Sequence, residues 1–349
     1  MIPVFDGHND FLQRAVAAGP DVARLWAQGD GTGHMDLPRL KAGNMVGGFF
    51  AMWVPDPISG DLEDLLRQKE NPPFDLPLPP QVDIAQALPS AFAQAAALMA
   101  IERTGTLSIC RSAADIRGAI DAGRIAAILH MEGAEPLANL DALHLWHAAG
   151  LRSIGFVWSR PTDYGHGVPF AFPSSPDRGE GLTEAGKALV RECNALKILI
   201  DLSHLNEKGC DDVARLSDAP LVATHSGVHD ICASSRNLTD RQLRQIADSG
   251  GLVGLNFNIG FLRPDGRREA FSGYEILLRH LDALLAILGE DGVALGSDFD
   301  GAVMPADLAD AAALPGLMQA MLDHGYGREL AEKIGWRNWV GVLERTWGA

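Results

Sequence analysis

Two histidines hold matching places in the stretch 197–226, KILIDLSHLNEKGCDDVARLSDAPLVATHS: His204 follows the apolar run 198–200, and His225 follows the run 221–223. A charged segment of helical character lies between them. Short continuous apolar runs read as buried parallel strands, and a strand–helix–strand crossover makes two of them parallel. Both imidazoles then emerge at the carboxyl edge of one sheet, where metal ligands belong. His8 and Asp10 follow the first apolar run two residues apart, a spacing that puts both on one face of an extended chain and within reach of one cation. Glu132 ends the apolar stretch that begins at Ile125, where a carboxylate is costly to desolvate unless it is paired or bound to a cation. Any one of these residues alone reads more naturally as an ordinary hydrogen-bonded side chain. Their repetition at successive strand ends is what points to a metal site, and imidazole with carboxylate oxygen suits zinc.

Such a cluster needs a sheet whose strand ends converge. Eight apolar runs, at 2–5, 46–53, 125–129, 153–158, 198–200, 221–223, 252–257 and 293–296, alternate with helical segments. The alternation predicts an α/β fold, a (β/α)8 TIM-type barrel, with a doubly wound open sheet as the alternative. No GxGxxG follows any run, which argues against a dinucleotide site. Helical patterns are expected over 84–103, 113–122 and 140–149, capping boxes at Thr239 with Gln242 and at Ser272 with Glu275, and a helical segment from Ala306 onward. A Pro-rich insertion at about 54–83 is too long for an ordinary connection and reads as a lid over the strand ends. With no repeat and no linker, residues 1–349 read as a single domain.

The composition, 47% hydrophobic and 21% charged, is that of a globular enzyme. Lys+Arg 29 against Asp+Glu 45 gives a net charge of −16, which argues against nucleic acid or an anionic membrane surface as a partner. Four cysteines without CxxC spacing read as reduced thiols. The N-terminus enters an apolar run with no signal-peptide pattern, and no run reaches about 18 uninterrupted apolar residues, so the expected location is cytoplasmic.

Six marks, in order along the chain, now carry a resemblance. They are 6–10 (DGHND), Glu132-Gly133, Leu202-Ser203-His204, Thr224-His225-Ser226, 232–237 (CASSRN) and 296–301 (GSDFDG). In these the chain resembles the membrane (renal) dipeptidase family of binuclear zinc peptidases, within the amidohydrolase-like barrels. The resemblance implies two zinc ions, one bound by His8 and Asp10 and the other by His204 and His225, with Glu132 bridging both. It implies Asp298 as the acid/base, Arg236 as the group that binds the substrate carboxylate, and hydrolysis of a small dipeptide by a metal-bridging hydroxide. Some family members accept a D-residue at the C-terminal position, and the family suggests a homodimer.

The pattern breaks in one place. Where the family has a histidine thought to hydrogen-bond the substrate carbonyl, this chain has Trp158. An indole offers one neutral donor and nothing to titrate. The expectation is that Trp158 narrows the pocket while His166, or failing that Tyr164, donates to the developing negative charge. Two rival functions stand beside the dipeptidase: another binuclear barrel amidohydrolase acting on a cyclic amide, lactone or N-acyl amino acid, and a metal-binding barrel that has lost catalysis. The HxD start and the Glu bridge favour the dipeptidase, and an intact Asp298 argues against lost catalysis.

Overall fold

The computed structural model describes residues 1–56, 67–269, 271 and 273–348. Among these, the strands in chain order are β1 (Val4–Asn9), β2 (Met45–Trp53), β3 (Phe74–Asp75), β4 (Leu107–Ile109), β5 (Ile125–Glu132), β6 (Leu151–Gly155), β7 (Ala171–Phe172), β8 (Leu199–Asp201), β9 (Val222–Ser226), β10 (Leu252–Asn256) and β11 (Val293–Gly296). Eight of them form a parallel barrel in the order β1-β2-β5-β6-β8-β9-β10-β11. The seam between β11 and β1 closes at its carboxyl end, where Asp298 N–H donates to the His8 carbonyl (3.0 Å) and Asp10 N–H to that of Phe299 (2.8 Å). The eight expected runs are these eight strands, so the barrel, and not the open sheet, is the fold.

The barrel interior is filled below the site. Phe5, Phe49, Ile128, Leu199, Val222 and Leu252, from the amino-terminal halves of their strands or, for Phe49, the middle, form one buried cluster with Trp339 from the helix Asn338–Trp347. The Trp339 indole N–H donates to the Leu295 carbonyl at 2.9 Å, which satisfies the one polar atom of a large buried ring. The expected C-terminal helical segment therefore plugs the barrel.

Several local features differ from the sequence expectation. β6 ends at Gly155, and Trp158 stands beyond it, because the Phe156 carbonyl is taken by Ala134 N–H and the Thr162 hydroxyl instead of by a strand. β4 extends the sheet beside the start of β5, and β3 pairs antiparallel with β7 outside the barrel; at two or three residues each, none has a periodicity to read. The Thr239–Gln242 capping box is formed. The helix Tyr274–Leu288 instead has Gly273 at its N-cap with no side-chain cap, and Ser272 lies outside the described residues. Of the Pro-rich insertion, residues 57–66 also lie outside them. The helix Ile84–Glu102 is long and apolar enough to cross a membrane by length and composition alone. In this fold Gln94, on its buried face, holds the Trp53 backbone at the end of β2 through both its amide nitrogen (2.7 Å) and its oxygen (3.0 Å). All four cysteines are free and buried.

Candidate active site

The carboxyl ends of β1, β5, β8 and β9 bring His8, Asp10, Glu132, His204 and His225 into one buried cluster. Glu132 Oε1 lies 3.6 Å from His8 Nε2, 3.1 Å from His204 Nε2 and 3.5 Å from His225 Nε2, and His8 Nε2 lies 3.6 Å from Asp10 Oδ2. Two ligand atoms at zinc distance from one tetrahedral ion stand roughly 3.4 Å apart. The donor atoms are thus spaced as ligands of shared ions, in two sets that both contain Glu132: His8, Asp10, Glu132 and Glu132, His204, His225. Both ring nitrogens of His8 are buried without a hydrogen-bond partner among the described residues, as a ligand awaiting a cation would be. His8 and Asp10 converge by a different route from the expected extended i, i+2 pair. β1 changes register between Asp6 and Asn9, and Asp10 has left the strand (φ −104°, ψ 23°) as the N-cap of the helix Phe11–Ala18.

Hydrogen bonds beneath the cluster fix its tautomers. The Thr224 hydroxyl donates to Asp201 Oδ2 (2.5 Å), so it accepts from His225 Nδ1–H (2.9 Å), and the Nε2 lone pair of His225 is left facing Glu132. Asp201 is spent in this task, since its Oδ1 also accepts from the backbone N–H groups of Ser203 and Thr224. Asp201 also lies near His8 and His225, but with both oxygens engaged it acts as a positioning residue. The Ser159 hydroxyl holds His204 Nδ1 at 2.8 Å.

Charge in the cluster also calls for a cation. Burial holds the His204 and His225 imidazoles well below their ordinary range, hence neutral, as ligands must be. Burial pushes the Glu132 carboxyl up to about 8 against the pull of His8. Burial acts downward on His8 as well, but the carboxylates of Glu132, Asp10 and Asp298 outweigh it and carry that imidazole up to about 10. A proton on His8 does there, in part, what a divalent ion would do in full.

Asp298 stands beside the cluster on the loop after β11. Burial raises its carboxyl above the ordinary range, Asp10 adds to the rise, and Asn256 Nδ2 donates to its Oδ2 at 3.0 Å. His204, Asp298 and Asp300 all adopt left-handed backbone (φ 67°, 62° and 66°), costly for residues with a side chain and concentrated here at the strand ends. Gly301 has no room for a side chain: a Cβ would collide with Asp10 Oδ2 and come within 2.7 Å of Asp298 Oδ1.

A cavity of about 330 Å³ opens over the cluster, lined in part by Asp10, Glu132, Trp158, His204, Arg236 and Asp298. Lys69, Leu76, Pro77 and Pro79 of the insertion also line it. Arg236 is buried; its Nη2 donates to the His225 carbonyl (3.2 Å), its Nε has no partner, and it makes no ion pair among the described residues. Tyr164 and His166 lie elsewhere, which corrects the expectation for the oxyanion. The Tyr164 hydroxyl donates to the Leu137 carbonyl (3.0 Å) within a separate pocket. His166 packs beside Gly179, its backbone tied to Asn206 and bridged to Pro161, and it does not line the cavity.

A model of the membrane dipeptidase family, peptidase family M19, matches residues 1–347. The chain belongs to the membrane dipeptidase family. With membership comes the enzyme class, a metal-dependent hydrolase of the peptide bond in dipeptides. Among solved structures, a metallo peptidase from Rhodobacter sphaeroides liganded with a phosphinate mimic of the dipeptide L-Ala-D-Ala is 57% identical, with a TM-score of 0.97 over 99% of each chain. The dipeptidase AC of family M19 is also 57% identical, with a TM-score of 0.96 over 100% of this chain and 99% of that one. Dipeptidase ataJ of Aspergillus terreus is 28% identical over 372 residues, covering 99% of this chain and 85% of that protein.

The sequence reading sets Trp158 where the family has an imidazole, and the structure brings this residue to the cavity. Trp158 lines the cavity with its ring 5.7 Å from that of His204 and 5.3 Å from that of Trp53. The sequence reading missed Trp53, whose buried indole N–H has no partner among the described residues and which also lines the cavity. The signal was there: Trp53 pairs in register with Glu132 at the strand ends, so it belongs to the same rim. Of the aromatic groups near the cluster, Trp53 and Trp158 line the cavity, and His166 and Tyr164 do not. His166→Ala should accordingly change kcat less than about threefold, since it removes no contact with the cavity; a hundredfold loss would return the role to His166.

Proposed function

We propose that this protein is a binuclear zinc dipeptidase that hydrolyses dipeptides with a free C-terminal carboxylate, L-Xaa-D-Xaa pairs among them. The observation that carries this reading is Arg236, a buried guanidinium without an ion-pair partner among the described residues, lining the same cavity as the metal-ligand cluster. A buried cation of this kind is costly unless the substrate neutralises it, and its planar fork suits a carboxylate. A lactone or cyclic amide without a carboxylate would leave it unpaired. The dipeptide mimic bound by the 57% identical relative supports both the substrate class and the D-configured second residue.

His8 and Asp10 would hold one ion, His204 and His225 the other, with Glu132 shared between them. Bound there, two zinc ions supply a Lewis acid for the scissile carbonyl and lower the pKa of water. Arg236 fixes the C-terminal end of the substrate, and the Trp53 and Trp158 rings that line the cavity exclude water. Asp298, with its raised pKa, takes a proton from the attacking water and returns it to the departing amine. The net charge of −16 and the four free thiols support a small-molecule substrate in a reducing, cytoplasmic setting, with neither nucleic acid nor membrane as partner.

Elemental analysis should give two divalent ions per chain, with activity lost on chelation and regained with zinc. Chelation should also lower the thermal midpoint, because it removes a ligand bound only by the native state. Fully active protein with one ion or none would overturn the binuclear assignment. Arg236→Met should weaken kcat/KM on dipeptides by about 2–4 kcal/mol, the worth of a charge-assisted pair, and far less on the corresponding dipeptide amides. An equal loss on both would place the arginine's role elsewhere.

A further inference from the structure

Two more cations line the cavity region on the Arg236 side, and the mechanism above does not use them. The Arg236 guanidinium lies 5.5 Å over the Phe261 ring, Phe261 is parallel to Phe170 at 6.3 Å, and Lys69 Nζ sits 3.7 Å over Phe170. One wall of the cavity thus runs Arg236, Phe261, Phe170, Lys69. The pairing of β3 with β7, Phe74 opposite Phe172, brings the Lys69 segment to this wall. Beside it opens a recess of about 30 Å³ that shares Lys69, Phe170 and Phe261 with the main cavity and adds Arg268. Its size suits the end of a side chain, not a whole one.

Neither Lys69 nor Arg268 makes an ion pair among the described residues; Asp56 acts on Lys69, and Asp298 and Glu70 on Arg268, only from beyond contact distance. Burial, aided by repulsion from Arg268, pulls the Lys69 ammonium down to about 8, and burial lowers Arg268. Two like charges brought to one partly buried recess repel until an anion enters between them.

We propose that this recess receives the side chain of the substrate's C-terminal residue and selects an acidic one, glutamate or aspartate. The assignment rests on the dipeptidase reading, in which Arg236 holds the α-carboxylate. With that carboxylate at Arg236, the adjoining side chain projects along the Phe261–Phe170 wall toward Lys69 and Arg268. The carboxylate of an acidic side chain would then meet two unpaired cations, whereas the isosteric amide would meet them without neutralising either.

The test compares kcat/KM for L-Ala-D-Glu with L-Ala-D-Gln, and for the reversed pair L-Glu-D-Ala and L-Gln-D-Ala, on the zinc-loaded enzyme. The acid should be preferred over the amide on the order of tenfold at the C-terminal position, the effect of a charge-assisted contact, and not at the N-terminal one. The Lys69→Met, Arg268→Met double variant should bring the C-terminal Glu/Gln ratio toward one, while Lys69→Arg keeps it above one. Because the readout is a ratio within one preparation, partial misfolding does not mimic it. A ratio near one in the native enzyme, a preference at the N-terminal position instead, or a preference that survives the double variant overturns the proposal while leaving the dipeptidase intact. If the metal-loaded protein cleaves none of these dipeptides, the dipeptidase reading itself fails and this assignment falls with it.

Discussion

Asparagine in place of Asp298 should lower kcat by roughly 10²–10⁴-fold, the worth of a positioned proton-transfer group, while both metal ions remain bound. Asp298 belongs to neither of the donor sets that share Glu132, so its carboxylate is not needed to hold an ion. Its place is fixed by the backbone: the left-handed turn at φ 62° and the N–H bond to the His8 carbonyl survive the substitution, and asparagine tolerates that conformation. What is lost is the titratable oxygen that burial has raised above the ordinary carboxylate range. Elemental analysis beside the kinetics separates the outcomes. A kcat within a few-fold of the native value moves the acid/base role to another group, and loss of an ion would make Asp298 a ligand.

The sequence disclosed the parts of this molecule whose signals are local. The barrel strands carry short apolar stretches, and those of β5, β8 and β9 run into polar residues, so both the strands and the cluster at their carboxyl ends were readable one element at a time. His204 and His225 illustrate this, the first just beyond β8 and the second in the last two residues of β9. The supports of the cluster were less visible because they depend on contacts between strands. Asp201 orients His225 only because β8 lies next to β9, and Asp6, whose carboxylate accepts from both the backbone and the hydroxyl of Ser297, acts across the β1–β11 seam. The loop after β6 misled the reading for the opposite reason. Tyr164 and His166 are near Trp158 in sequence, but the chain turns at the Pro161–His166 bridge and carries both away from the cavity. Lys69 and Arg268 could not be paired by any local pattern, being 199 residues apart and joined only by the recess they share.

The loss expected for Glu132→Gln exceeds that for Asp298→Asn. Glu132 is the one residue common to both donor sets, within 3.1–3.6 Å of three imidazole nitrogens, so a neutral amide there weakens both ions at once. Metal content should fall to one ion per chain or below, and kcat by more than roughly 10⁴-fold, because the metal-lowered pKa of water is lost as well as the geometry. The substitution keeps shape and burial, so the fold should survive it. Glutamine keeps the shape of Glu132, and burial, which raises the carboxyl above its ordinary range, disfavours the charge that the substitution removes. The metal-free forms of the native and variant proteins should therefore melt at similar temperatures near pH 7. Only the native protein should gain stability when zinc is added, since stabilisation by a ligand requires that the folded state bind it. Calorimetry with and without zinc decides the matter: a variant that zinc stabilises as much as it does the native protein would show that the ions are held without the bridge, and the shared-carboxylate centre would be wrong.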